Sequence, residues 1–154
     1  MNSLNYVNNH NAGYNPDHVY YSPTHRFIVT ADEGEPPQIE DSPQAENQVG
    51  GATILDTESG NVCSFQFDFG GYSAEEMNNN RIHRSLPYMS HTNDMEPEFV
   101  SFDPQSTTTA FLTIQEASAI VTIDLDPSLA CTSQARVISI RATTISVETD
   151  TPFR

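Results

Sequence analysis

The 154-residue chain contains no lysine, and six arginines are its only strong bases. Against 21 acidic residues they leave a formal net charge of -15 and a pI of about 4.3. So few cations cannot neutralise many phosphates, which argues against nucleic-acid binding, and an anionic membrane surface would repel the chain. The partners that this charge favours are cations and basic proteins. A surplus of carboxylates that only keeps the protein hydrated explains the composition equally well.

Long apolar runs and cysteines are also scarce. No apolar segment reaches the roughly 18–20 residues that a membrane-spanning helix needs. The Asn-rich residues 1–14 have neither the basic nor the apolar region of a signal peptide, and we expect them to form a disordered lead-in. Cys63 and Cys131 lack CxxC spacing, so a single bridge and two free thiols both stay open.

Two stretches of the sequence repeat each other. Residues 16–34, "PDHVYYSPTHRFIVTADEG", and residues 97–118, "PEFVSFDPQSTTTAFLTIQEAS", both begin with proline, an acidic residue, any residue and valine. Both place a second proline seven positions after the first. Each stretch continues through further apolar segments of strand length, "GGATILD" and "VCSFQFDF" in the first unit and "AIVTID" and "ARVISIRA" in the second. Each unit therefore contains four short strands with no helix between them.

This repeat predicts an all-β fold made of antiparallel four-stranded blades of a β-propeller. Several strands carry apolar residues on both faces, which suits sheets that are covered on both sides. Four-stranded units of roughly 40–50 residues are typical of propeller blades, and a sandwich of short strands is the alternative. Closed propellers need about 4–8 blades, so we expect an incomplete propeller of about two to three blades, a fragment whose open blade faces favour self-association.

The segments between the strands complete the predicted organisation. Ser73 and Glu76 have the spacing of a capping box, which predicts a short helix that the asparagines at 78–80 would end. Gly50-Gly51 and the segment 58–60 have the composition of turns. The predicted map is a lead-in at 1–14, a first blade at 15–70 with an acidic insertion at 35–49, a connector at 71–95, a second blade at 96–142, and a further strand or tail at 143–154.

Four acidic residues occupy equivalent positions in the two units. Asp17 and Glu98 lie at the start of the first strand of each unit, and Glu33 and Glu116 lie at the end of the second. The first strand of a propeller blade is nearest the axis, so we expect these carboxylates near one mouth of the channel. Hard oxygen ligands of this kind suit Ca²⁺ or Mg²⁺. Alternatively, they bond backbone N–H groups of loops or face solvent, and no EF-hand loop is present.

Several segments resemble the choice-of-anchor I domain family, which includes mesenchyme-specific cell surface glycoproteins and bacterial proteins labelled alkaline phosphatase-like. They are "FIVTADEGEPP", "GGATILD", "DMEPEFVSFDP" and "TAFLTIQEASAIVTIDL" within residues 16–141, the most specific being Glu96-Pro97-Glu98 together with the segment 112–116. The resemblance implies a secreted or surface-displayed β-propeller of several hundred residues. It therefore implies an extracellular or cell-surface location, although the chain shows no signal peptide. One departure is Pro37, where the family usually has a basic residue.

Two functions compete at this point. The family label suggests a metal-dependent phosphoesterase, but the histidines have neither HxH nor HExxH spacing, and phosphate-binding loops and GxSxG are absent. Even His18, beside Asp17, is more typical of a structural histidine, so we predict no catalytic residue. The favoured hypothesis is a non-enzymatic binding or adhesion module whose acidic insertion at 35–49 contacts an unknown protein or cation ligand.

Overall fold

Eight strands form two separate four-stranded antiparallel sheets in the computed structural model, which describes residues 8–34, 49–67, 73–79, 82, 84, 94–125 and, for the backbone, 137–142. Each sheet is an up-and-down meander in which strands pair in chain order. The predicted all-β fold class of antiparallel four-stranded blades is therefore confirmed. The strands are β1 (Pro16–Tyr21), β2 (Phe27–Asp32), β3 (Gly51–Asp56) and β4 (Val62–Gln66) in the first sheet, and β5 (Pro97–Phe102), β6 (Thr109–Ile114), β7 (Ala119–Asp124) and β8 (Val137–Ala142) in the second.

Some predictions lie outside the described residues. They concern the acidic insertion, except Val49, and the further strand or tail at 143–154. The boundaries of the predicted blades and connector stay predictions.

The middle strands of each sheet supply most of the buried apolar side chains. Val29 on β2, Leu112 on β6 and Val121 on β7 are fully buried. Strand β4, by contrast, is largely half-buried or exposed along its length. Burial largely alternates along β2, β6 and β7, where one face is buried and the other is half-buried or exposed, because successive side chains of a strand point to opposite faces. Strand β3 is buried on both faces, so the expected coverage of both faces holds for this middle strand only.

A short helix, α1 (Ala74–Asn79), lies between the sheets in the sequence, as predicted. The Ser73 hydroxyl accepts a hydrogen bond from the Glu76 N–H at 3.2 Å, and the Glu76 carboxylate accepts from the Ser73 N–H and hydroxyl, each at 2.8 Å. These bonds complete the capping box and lower the pKa of Glu76. Met77 is buried in the core, which holds this one-and-a-half-turn helix against the rest of the protein.

The two sheets meet mainly through their first strands. Strand β5 contacts β1 and β2, and the Val100 N–H donates a hydrogen bond to Nδ1 of His18 at 3.2 Å. The rings of Tyr20 and Phe102 lie 6.4 Å apart across the same junction. Contact through first strands is the arrangement of blades around a common axis. The alternative of a face-to-face sandwich does not describe these sheets.

Gly50 and Gly51 do not form the predicted turn. Gly51 is the first residue of β3, and Gly50 lies where the chain passes the second sheet. A Cβ atom on Gly50 would overlap the Met95 carbonyl oxygen and come within 2.6 Å of Pro97 Cδ. Close approach of backbone to backbone is therefore what requires glycine here. Gly60, with φ of 75°, does occupy the turn predicted at 58–60.

We expect the Gly50→Ala variant to lose about 1–3 kcal/mol of unfolding free energy, because the added methyl group overpacks the junction between the sheets. Urea unfolding followed by circular dichroism measures the loss. Gly60→Asn is the matched control: nothing lies within 4 Å of a Cβ at this position, and asparagine tolerates positive φ. Equal stability of Gly50→Ala and the wild type would contradict the close approach.

Candidate functional site

The first strands of both sheets begin with the same β-bulge. The pairing of β1 with β2 skips Asp17, and the pairing of β5 with β6 skips Glu98. In each case the residue before the skipped one is the proline that opens the strand. A bulge leaves its extra residue out of the ladder and redirects the side chain, so both sheets turn an acidic residue away from the regular pleat at the same place.

Three of the four predicted ligands act electrostatically on the fourth, Glu98, and their role as metal ligands stays a prediction. Burial raises the pKa of Glu98, and the carboxylates of Glu116, Asp17 and Glu33 raise it further, with a hydrogen bond to Glu116 also contributing. The convergence of Asp17 and Glu98 expected from the repeat is what the two sheets produce.

Two further acidic residues belong to this cluster, and the sequence reasoning missed their chemistry. Burial raises the pKa of Glu96 to about 7, helped by the charges of Glu116, Glu33, Asp94 and Glu98 in that order. The Asp94 side chain is itself fully buried. The available signal was the spacing of Glu96 and Glu98, since residues two apart in an extended segment point to the same side. We call the six residues Asp17, Glu33, Asp94, Glu96, Glu98 and Glu116 the carboxylate cluster.

Among the described residues whose charges shift the pKa of Glu96 or Glu98, none is basic. The Asn15 amide donates a hydrogen bond to Oε2 of Glu33 at 2.6 Å, but an amide adds no positive charge. Within the described part of the chain, Oε2 of Glu116 is buried and has no hydrogen-bond partner. Protonation, or a bound cation, would relieve the repulsion that the neighbouring carboxylates exert on Glu96 and Glu98.

Arg26 lies at the end of β2 opposite to Glu33 and forms ion pairs there. Its guanidinium lies 3.1 Å from Oδ2 of Asp56 and 3.2 Å from Oε2 of Glu58. The hydrogen bond from Arg26 is the largest of the effects that lower the pKa of Asp56. The first sheet thus has an ion pair at one end and acidic residues that act on Glu98 at the other.

Asp32 forms a separate, saturated network beside a cavity of about 330 Å³. Its Oδ2 accepts from the Gly13 N–H at 3.1 Å and from the Thr53 hydroxyl at 2.7 Å, and its Oδ1 accepts from the Thr30 hydroxyl at 2.6 Å. The Thr53 hydroxyl also lies 2.7 Å from Oγ of Ser64. With these bonds the buried carboxylate ties the segment before β1 to the first sheet, which is a structural task.

The histidines that sequence reasoning considered have structural contacts where they are described. His18 accepts the Val100 hydrogen bond and packs on Phe99 at a ring-centroid distance of 4.9 Å. His25 is exposed, has a φ of 60°, and stacks on Tyr21 at 4.8 Å. His83 and His91 lie outside the described residues.

We expect the protein to lose stability as the pH rises from about 5 to about 8, because the folded state raises the pKa of Glu96 from an ordinary 4.5 to about 7. Stability from the protonated Glu96 is fully present below pH 4.5 and is lost as the pH rises through 7. The melting temperature in metal-free buffer measures this dependence. Glu96→Gln should flatten the profile and melt higher than the wild type at the alkaline end.

The control for this experiment is Glu75→Gln, which changes an exposed carboxylate on α1 and should keep the wild-type slope. An unchanged slope in Glu96→Gln would show that this side chain does not carry the proton.

No helix in the described ranges is long and apolar enough to cross a membrane. Hydrazine synthase of Kuenenia stuttgartiensis is a solved structure similar to this chain, with 18% identity and a TM-score of 0.44 over 77% of this chain and 28% of that one. This chain therefore spans little more than a quarter of that protein, and no curated protein matches it. The family model of the choice-of-anchor I domain matches residues 1–133, so the chain belongs to the choice-of-anchor I domain family.

Proposed function

We propose that this chain is a non-enzymatic, extracellular or cell-surface propeller module that binds a partner, and that the carboxylate cluster holds a divalent cation. Membership in the choice-of-anchor I domain family supports a surface-associated role. The observation that carries the proposal is that carboxylates from both sheets act on Glu96 and Glu98, and that none of the described charges acting on these two residues is basic. Clusters of this kind are more typical of functional sites than of structural ones, since they cost stability.

The chemistry of the donors suits Ca²⁺ or Mg²⁺, with Asp17, Glu33, Glu98 and Glu116 as ligands. Both ions prefer oxygen, and Ca²⁺ accepts the larger and less regular sets of six to eight ligands. The unpartnered Oε2 of Glu116 is a donor that an ion would use. No three acidic, histidine or cysteine side chains in the described ranges are already arranged around an ion position. Binding would therefore require side-chain movement and the release of protons, which favours the weak affinities typical of extracellular calcium modules.

The cysteines support the extracellular part of the proposal. Cys63 on β4 is disulfide-bonded, whereas Cys131, the other cysteine of the chain, lies outside the described residues. Disulfides persist in secreted and surface proteins and are rare in the reducing cytosol of most organisms.

No observation favours the phosphoesterase alternative. Metal-dependent phosphoester hydrolysis uses two metal ions about 3.5–4 Å apart together with an activated water molecule or nucleophile. The finer likeness to alkaline phosphatase-like proteins and mesenchyme-specific glycoproteins stays a prediction, as does contact through the acidic insertion at 35–49.

We expect millimolar Ca²⁺ to raise the melting temperature of the metal-free protein by about 3–6 °C near pH 8, because an ion that binds only the folded state stabilises it. The increase should be smaller near pH 6, where protons compete for the same carboxylates. Replacing Asp17, Glu33, Glu98 and Glu116 together by their amides should abolish the response to Ca²⁺. Differential scanning fluorimetry with and without the ion measures it.

The readout is the response to calcium and not the starting melting temperature, because removing repulsion changes stability without any metal. A control variant with Glu75→Gln and Asp103→Asn loses charge elsewhere and should respond like the wild type. The cation hypothesis is wrong if the wild type does not respond or if the amide variant still does.

We expect Cys63→Ser to lower the unfolding free energy by about 2–5 kcal/mol, because removing a native disulfide frees the unfolded chain. Urea midpoints with and without a reductant measure the effect. Reduction should lower the midpoint of the wild type and leave that of Cys63→Ser unchanged. A wild-type midpoint that is insensitive to full reduction would remove this support for an oxidising location.

A further inference from the structure

A continuous row of five rings follows β1 at the junction with β5. Phe99 contacts His18 at a centroid distance of 4.9 Å, and His18 stacks with Tyr20 at 6.0 Å. Tyr20 stacks with Tyr21 at 5.3 Å, and Tyr21 stacks with His25 at 4.8 Å. We call these five residues, Phe99, His18, Tyr20, Tyr21 and His25, the aromatic ladder.

The aromatic ladder is exposed although its residue types are typical of cores and interfaces. Phe99 is 55% exposed, Tyr21 is 51% and Tyr20 is 45%. Apart from Tyr14, every exposed large apolar side chain in the described part of the chain lies on β1 or β5. Single exposed apolar residues need no explanation, but a contiguous row of stacked rings marks an interaction surface.

Negative charge adjoins one end of the aromatic ladder. Asp17 directly precedes His18, and Glu98 directly precedes Phe99, so the bulges that redirect the two carboxylates open the strands that carry the rings. Ring faces attract cations, and carboxylates form strong paired hydrogen bonds with guanidinium groups. A second copy of this chain is a poor occupant, because it brings the same carboxylates and a net charge of -15.

We propose that the aromatic ladder, together with Asp17 and Glu98, docks an extended, arginine-rich segment of a partner protein. Alternate side chains of an extended segment are spaced about 6.6–6.8 Å apart. Neighbouring ring centroids of the ladder lie 4.8–6.0 Å apart, so arginines at alternate positions reach different rings without matching them one to one. Arginine suits the surface better than lysine, because its planar group both stacks on rings and pairs with carboxylates. The inference rests on the proposed binding function and names the chemistry of the partner, but it does not require a bound cation.

A fluorescent peptide of about nine residues that alternates arginine and serine tests the proposal. Anisotropy titrations with the full chain, in EDTA and low salt near neutral pH, should show saturable binding. Tyr20→Ala and Phe99→Ala should each weaken it about tenfold. Tyr14→Ala is the matched control, since this tyrosine is 47% exposed but outside the aromatic ladder, and it should bind like the wild type.

The carboxylates are tested in the same way. Asp17→Asn with Glu98→Gln should weaken binding about tenfold and reduce its dependence on salt, whereas Glu75→Gln should change neither. A peptide with glutamine in place of arginine should not bind, and one with lysine should bind more weakly. Circular dichroism confirms that each variant is folded, and a variant that is not is replaced by Tyr20→Leu or Phe99→Leu.

Any of three titration results would overturn the proposal. The first is that the peptide shows no saturable binding. The second is that Tyr14→Ala weakens peptide binding as much as Tyr20→Ala or Phe99→Ala does. The third is that the carboxylate variant weakens peptide binding while the ring variants do not, which indicates unspecific charge attraction. A dimer in light scattering that Phe99→Ala dissociates would also overturn it, because the occupant is then a second copy. Calcium stabilisation without peptide binding rejects this inference alone. Peptide binding in EDTA without any calcium effect rejects only the cation part of the proposed function.

Discussion

Contact between β1 and β5 is the constraint on which the rest of the structure depends. The Val100 hydrogen bond to His18 and the close approach at Gly50 bring the starts of both first strands to one place. Because each strand starts with a bulged acidic residue, the same contact brings carboxylates from two sheets together. Burial of apolar side chains in both sheets offsets their repulsion, and a proton on Glu96 relieves part of it.

Charge is distributed unevenly along the first sheet. The pair of Arg26 and Asp56 neutralises one end, although an ion pair this accessible contributes little to stability. At the opposite end the exposed Asp17 and the half-buried Glu33 act on Glu98, and none of the described charges acting on Glu98 is basic. Negative charges spread evenly over the surface would keep the protein soluble with less repulsion, and so with a smaller loss of unfolding free energy. The concentrated charge is therefore better explained by a role in binding than by solubility.

The repeat made much of this architecture predictable, because strand period, turn composition and capping depend on local sequence. The same repeat predicted the convergence of Asp17 with Glu98. The raised pKa of Glu96 and the ring contacts of the aromatic ladder were not predicted from the sequence. Both depend on which residues lie across the junction between the two sheets. The sequence "HVYY" is typical of a strand whether its rings are buried or exposed. Gly50 was misassigned for a related reason: a glycine pair is typical of turns, and only the neighbouring sheet shows that its small size is what matters.

The proposed cation site and the proposed docking surface both use Asp17 and Glu98, and this has a thermodynamic consequence. A cation that takes both carboxylates as ligands removes the charge with which an arginine would pair. Each ligand then weakens the other by the same factor, because coupling between two binding equilibria is reciprocal. In the two proposals, Glu33 and Glu116 are ligands of the cation and take no part in the peptide contact. Under these proposals, protons, calcium and arginine compete for the carboxylate oxygens of Asp17 and Glu98. Which of them is bound at a given pH and calcium concentration then depends on their relative affinities.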